Sequence, residues 1–185
     1  HAHTYLGALA AKEIKNRTGI CYVVTLHESS FLKGSIPQWR HVLIDEALQS
    51  AASCISVSHA LGKVLQSRYQ LSDLKVIPNY IDTSLFMPAP TRPPLQPFRF
   101  LAVGDLIPLK GFDALVKAFK TFTSEHPGVF QLFLIGEGPE KQKLKLLVQQ
   151  TDQKASIKML GRMTPMEVAR EMKKAHCLIL PSKLE

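Results

Sequence analysis

The sequence predicts an α/β fold with two doubly wound parallel sheets, each missing part of its strands. Three observations carry this. Apolar runs of strand length alternate with stretches of helical periodicity through both halves, which is the signature of parallel βαβ units. A proline-rich stretch separates the halves, since five of the chain's 12 prolines fall within residues 86–97. Proline fixes φ and removes a backbone donor, so neither a helix nor a central strand passes through it, and it reads as a semi-rigid linker. The length of 185 residues, with 45% hydrophobic and 21% charged residues, suits one globular domain or pieces of two.

In the first half a helix covers Thr4–Arg17 and ends near Gly19. Strand Ile20–Thr25 follows, then a long polar loop to about Gln38. A helix spans roughly Arg40–Ala52, and Cys54–Val57 is a strand. Ser58 is positioned to cap a helix over 59–69, and Lys75–Ile77 is the last strand of this half. After the linker, Phe98–Val103 is an apolar run broken only by Arg99, a buried strand. Gly111–Phe122 carries Phe112, Leu115, Val116 and Phe119 at helical spacing. Val129–Ile135 is a strand, Glu140–Gln150 a helix and Ile157–Leu160 a strand. Thr164-Pro165-Met166-Glu167 is a capping box with proline at the first helical position, so a helix starts there and runs to about Ala175. Cys177–Leu180 is a strand. Right-handed crossovers fold each half into an open, twisted sheet.

Composition excludes several functions. No apolar run approaches the roughly 20 residues of a membrane helix. Cys21, Cys54 and Cys177 lie far apart, which supports neither a disulfide framework nor a zinc cluster and makes a reducing compartment the default. The formal charge of +8 suits a polyanion, a phosphate ligand or an acidic membrane surface. The basic residues are scattered, however, and Lys141, Lys143 and Lys145 read as a solvated helix face. With no Arg-rich arm and no RNA-binding aromatic signature, nucleic acid is set aside as a partner. No signal peptide is recognised. The chain begins at His1 without Met and stops at Glu185 just past a strand, and it reads as a piece cut at both ends.

In sheets of this kind ligands bind at the carboxyl ends of the strands, so the residues just after each strand carry the information. Gly104-Asp105-Leu106-Ile107-Pro108-Leu109-Lys110-Gly111 joins a strand to a helix, where free N–H groups and a positive dipole end suit phosphate and Lys110 adds a cation. It is not a Walker loop, because no Ser or Thr follows for magnesium. Taken alone, a tight turn at Gly104 and a solvated Lys110 explain it better. Gly136-Glu137-Gly138 also follows a strand, but Lys141 holds the third glycine position of a dinucleotide fingerprint, so NAD binding is rejected. A lone His27 is more often structural than catalytic. His1 and His3 lack a third metal ligand at suitable spacing, and no Gly-x-Ser-x-Gly elbow occurs.

Taken in order along the chain, these signals resemble the retaining glycosyltransferases of family four, the glycosyl transferase group 1 type. His1-Ala2-His3 is similar to the family's His-x-His, Val23-Val24-Thr25-Leu26-His27 to its Thr-x-His loop, and Ile55-Ser56-Val57-Ser58 to the strand and Ser before the next helix. Val76-Ile77-Pro78-Asn79-Tyr80-Ile81-Asp82 through Phe86 resembles the Ile-Pro-Asn-Gly-Val-Asp segment, with Tyr80 in place of the usual Gly. Val103-Gly104-Asp105-Leu106 through Lys110-Gly111 is similar to Val-Gly-Arg-Leu…Lys-Gly. Ile135-Gly136-Glu137-Gly138-Pro139 resembles the Gly-x-Gly-Pro loop, and Leu180-Pro181-Ser182…Glu185 the start of the Glu-seven residues-Glu motif.

The resemblance implies a GT-B fold of two Rossmann-like domains. Residues 1–87 would be the C-terminal part of the acceptor-side domain, 88–97 the linker, and 98–185 the N-terminal part of the nucleotide-sugar domain. It implies transfer of a sugar, with retention of configuration, from a nucleotide-diphosphate-sugar to a glycan or lipid-linked acceptor. Lys110 would hold the diphosphate, with Gly104, Asp105 and Ser182 beside it. Gly136 and Gly138 would let backbone approach the donor, and Arg162 and Met163 would lie near the base. Glu185 would sit by the sugar hydroxyls, and His27 near the donor sugar and acceptor. No cofactor or metal is expected, because a helix dipole and basic side chains take that role. Cytoplasmic location, with peripheral contact at the inner membrane surface, is expected. Asp105 stands where the family usually has an Arg, and an acid there opposes phosphate unless it points away or caps an amide. The alternative reading is therefore a catalytically degraded nucleotide-sugar-binding protein of the same fold. The second Glu of the last motif and the glycine-rich loop before His1 lie outside the chain, so this piece by itself is expected to be inactive.

Overall fold

A computed structural model describes residues 1–91, 93–150 and 156–183. They form two compact units, divided between Tyr80 and Ile81. The first unit contains β1 (Ala2–His3), α1 (Thr4–Thr18), β2 (Val23–Leu26), α2 (Ser30–Lys33), α3 (Gln38–Gln49), β3 (Ser53–Ser56), α4 (His59–Tyr69) and β4 (Leu74–Val76). Its strands are all parallel, in the order β1-β2-β3-β4. Strand side chains alternate between faces, and Val24, Leu26 and Cys54 point into one core with Ala8, Ile44, Ala47, Leu48, Leu61 and Leu65 from the helices. The Ser58 hydroxyl accepts the Leu61 N–H at 3.2 Å and caps α4, as the sequence predicts.

The second unit contains β5 (Phe98–Val103), a 3₁₀ turn (Pro108–Lys110), α5 (Phe112–Glu125), β6 (Phe130–Ile135), α6 (Lys141–Gln149), β7 (Ser156–Gly161), α7 (Pro165–Lys174) and β8 (Cys177–Leu178). These strands are parallel too, in the order β7-β6-β5-β8. The chain steps outward from β5 to β7 and then returns to the other side of β5, so the crevice between β5 and β8 is a topological switch point. Both faces are covered, as double winding requires. Ala102, Leu132 and Leu134 pack with Phe112, Leu115, Val116 and Leu144. Leu101, Phe133 and Ile135 face the other way, onto Val168 and Met172 of α7.

Several boundaries differ from the predicted ones, each for a local reason. The strand predicted from Ile20 starts at Val23, because the chain first leaves α1 through Gly19 in the left-handed region. The polar loop before α3 hides the single helical turn α2, which the buried Phe31 anchors. At β8 the ladder ends with the Ile179 N–H donating to the Leu101 carbonyl at 2.8 Å, and Pro181, two residues on, has no donor to offer. The two-residue β1 is too short for any periodicity to reveal.

The capping box of α7 is present in both directions. The Thr164 hydroxyl accepts the Glu167 N–H at 3.4 Å, and the Glu167 carboxylate accepts the Thr164 N–H at 2.7 Å. Thr164→Ala should lower stability by about 1 kcal/mol, whereas Thr164→Ser should leave it nearly unchanged, as read by chemical denaturation followed by circular dichroism.

Candidate functional site

In the second unit, close backbone approach shapes the carboxyl end of the sheet. Gly136 follows β6 with φ at 149°, and a Cβ there would overlap the Gly104 carbonyl of the loop after β5. The two loops are laced by the Leu106 N–H donating to the Glu137 carbonyl and the Glu140 N–H donating to that of Leu106, both at 2.9 Å. Gly111, at φ 67°, ends the 3₁₀ turn and opens α5, and a Cβ there would overlap the Pro181 carbonyl. The segment after β8 therefore crosses the head of α5. The Lys183 N–H, donating to Leu109 O at 2.9 Å, holds it there and brings Ser182 alongside.

The loops after β5, β6 and β7 line a concavity of about 430 Å³. Gly104, Asp105, Lys110, Gly136, Arg162 and Met163 line it, all of them singled out from sequence. Gly138 lies against the backbone of Leu106 in the adjoining turn. Glu185 lies outside the described residues, and His27 belongs to the first unit. Sequence reasoning missed Glu137 and the apolar floor of Val103, Ile135 and Val168. The i,i+4 spacing of Glu137 and Lys141 was an available signal.

The electrostatics are mixed. Glu137 accepts the Lys141 ammonium at 2.6 Å, and this contact, with help from Arg162, holds its carboxyl below the usual carboxylate range. Lys141 is therefore not simply part of a solvated face. With Lys145 and Arg162 it lines a second concavity of about 490 Å³. Lys143 turns to Glu140 at 2.8 Å, and that hydrogen bond raises its pKa. In the first turn of α5, partial burial pushes the Asp113 carboxyl up, but the Ala114 N–H together with Lys183 and Lys143, each 3.9 Å away, bring it below the usual value.

In the first unit, His1 just before β1, His3 at its carboxyl end and His27 just after β2 stand in a row. The His1 and His3 rings lie 4.4 Å apart and those of His3 and His27 5.8 Å apart. His1 Nε2 is hydrogen-bonded to the Thr25 hydroxyl at 2.8 Å. The next residue, Glu28, accepts the Tyr5 N–H at the head of α1 at 2.5 Å and the His27 N–H at 3.2 Å. Among the described residues, no group of three or more His, Cys, Asp or Glu could hold a metal ion. Among them, too, no helix is long and apolar enough to cross a membrane.

Residues 1–85 match the Glycosyltransferase Family 4 family, and residues 86–185 match Glycosyl transferases group 1. The D-inositol 3-phosphate glycosyltransferase of Acidothermus cellulolyticus is 25% identical over 100% of this chain and 47% of its own length. The glycogen synthase of Mycobacterium tuberculosis is 24% identical over 100% of this chain and 46% of its own length. The chain thus spans less than half of each. Sucrose-phosphate synthase from Thermosynechococcus elongatus superposes with a TM-score of 0.77 at 19% identity, covering 97% of this chain and 49% of that one. Anabaena Alr3699/HepE in complex with UDP superposes with a TM-score of 0.75 at 17% identity, covering 98% and 53%. These structural likenesses show the fold, which is GT-B.

The lowered Glu137 pKa sets a sign for acid sensitivity. Its contribution to stability is complete above the pKa of an unfolded glutamate and is lost as pH falls through the lowered folded value. Glu137→Gln should flatten the acid limb of stability against pH relative to wild type, as read by denaturant midpoints across that limb.

Proposed function

The chain belongs to the group 1 glycosyltransferases, and from that premise we propose that its parent protein transfers a sugar from a nucleotide-diphosphate-sugar to a glycan or lipid-linked acceptor with retention of configuration. Residues 1–87 supply part of the acceptor-side domain, 88–97 the linker, and 98–185 part of the donor-binding domain. The observation that carries this reading is the meeting of Gly104, Lys110, Gly136, Arg162 and Met163 around one concavity at the carboxyl ends of β5, β6 and β7.

In the reaction the bond from the anomeric carbon to the diphosphate oxygen breaks, and the acceptor oxygen bonds to that carbon while its proton passes to the departing diphosphate oxygen. Negative charge collects on the departing diphosphate. Lys110 and the N–H groups at the head of α5 meet that charge, which matters most in the transition state. No metal is needed for this role. The glycines let the donor lie against backbone, Arg162 and Met163 flank its base, Ser182 contributes to substrate binding, and Glu185 serves the hydroxyls of the donor sugar. His27 works from the acceptor side. A basic chain of net charge +8 also suits peripheral contact with an acidic membrane surface.

Full-length protein assayed with a panel of nucleotide sugars should bind at least one and turn it over; neither binding nor turnover with any of them would sink the assignment. Lys110→Ala should lower kcat/KM roughly 10- to 150-fold, the worth of one charge-assisted hydrogen bond.

Asp105 in the lining favours a second reading, in which the fold binds a nucleotide sugar without catalysis. Titration of Asp105→Arg with UDP decides between them. A large gain in affinity over an inactive wild type supports the degraded site, and an active wild type removes it.

A further inference from the structure

Strand β7 ends irregularly. Leu134 of β6 stands opposite Met159 and Ile135 opposite Gly161, so Leu160 is an extra residue, a bulge. Gly161 then takes φ 77° and turns the chain out of the sheet. This turn is tied to the loop after β6 at two points. The Gly136 N–H donates to the Gly161 carbonyl at 2.8 Å. The Glu137 carboxylate lies so close over Gly161 that a Cβ there would stand 3.3 Å from its Oε1. The carboxylate is itself held in place. Lys141, the first residue of α6, donates to the same Oε1 at 2.6 Å. With the Arg162 backbone N–H, it keeps the Glu137 carboxyl ionised to lower pH than usual.

The residues after the turn are anchored in different ways. Met163 packs against the apolar face made by Leu101, Phe133 and Ile135, and Thr164 caps α7. Arg162 stands between Gly161 and Met163 and is exposed. It lines both the 430 Å³ concavity and the 490 Å³ one beside it, and Glu137 is the acid common to the two linings. We propose that Glu137 is a positioning residue for nucleotide binding, which acts by fixing the Arg162 backbone, and with it the Arg162-Met163 wall, before the nucleotide arrives. The proposal rests on the donor-side reading of residues 98–185. Ordering a loose loop opposes binding through lost conformational entropy, so a wall fixed beforehand holds its ligand more tightly. A glycine turn has the most such freedom to lose. The diphosphate is met by Lys110 instead, so the effect of Glu137 falls on the nucleoside part of the ligand.

The test uses full-length protein. Calorimetric titration follows pyrophosphate and whichever of UDP, GDP and ADP wild type binds most tightly. Glu137→Ala should weaken the nucleotide by about tenfold, on the scale of one hydrogen bond to a charged group, and pyrophosphate by less than about twofold. Glu137→Gln keeps an oxygen for the Arg162 N–H and should recover most of the nucleotide affinity. Without ligand, hydrogen exchange at the Arg162 amide should speed up in Glu137→Ala and stay near wild type in Glu137→Gln, with circular dichroism confirming that each is folded. Equal losses for nucleotide and pyrophosphate would overturn the proposal. So would unchanged nucleotide affinity in Glu137→Ala, a Glu137→Gln as weak as Glu137→Ala, or an Arg162 amide that exchanges no faster. A wild type that binds none of the three nucleotides defeats the donor reading. The exchange measurement needs no ligand and still decides whether Glu137 positions Arg162.

Discussion

The donor-side architecture depends on two close approaches of backbone to backbone. At Gly136 and Gly111 the neighbouring carbonyls of Gly104 and Pro181 occupy the space where a Cβ would stand. Any side chain would force the loops apart, and both positions lie in a φ region that L-residues rarely adopt. The loops after β5, β6 and β8 are thereby drawn to one end of the sheet. The concavity lined by Gly104, Lys110, Gly136 and Arg162 lies among the loops after β5, β6 and β7. The hydrophobic faces of β5 and β6 supply the rigid floor, and the glycines set how tightly the rim closes over it.

On that rim, charge is balanced locally. Glu137 is tied to Lys141, Asp113 is flanked by Lys143 and Lys183, and Glu140 holds Lys143. The net charge of +8 is therefore no guide to where an anion binds. Both helix heads carry a carboxylate: Asp113 takes the Ala114 N–H in the first turn of α5, and Glu28 takes the Tyr5 N–H at the head of α1.

Much of this was legible in the sequence, for identifiable reasons. The strands of the second unit are buried on both faces, so Phe98–Val103 and Phe130–Ile135 read as continuous apolar runs. The capping residues Ser58 and Thr164 act within three residues of themselves, and both acted as predicted. The glycine loops were visible because glycine after a strand marks a tight or crowded backbone. Less legible were β1 and α2, which are shorter than the window any period requires.

The sequence by itself determined the parallel α/β plan, the helix starts and the residues that follow each strand, because these depend on periodicity and on contacts a few residues apart. Only tertiary structure decided that Glu28 reaches across 23 residues to the head of α1, that Glu137 and Arg162 share one wall, and that the Pro181 segment crosses Gly111. Those contacts join loops brought together by strand order. Strand order follows from how two sheet faces are covered, and no local pattern of residues encodes it.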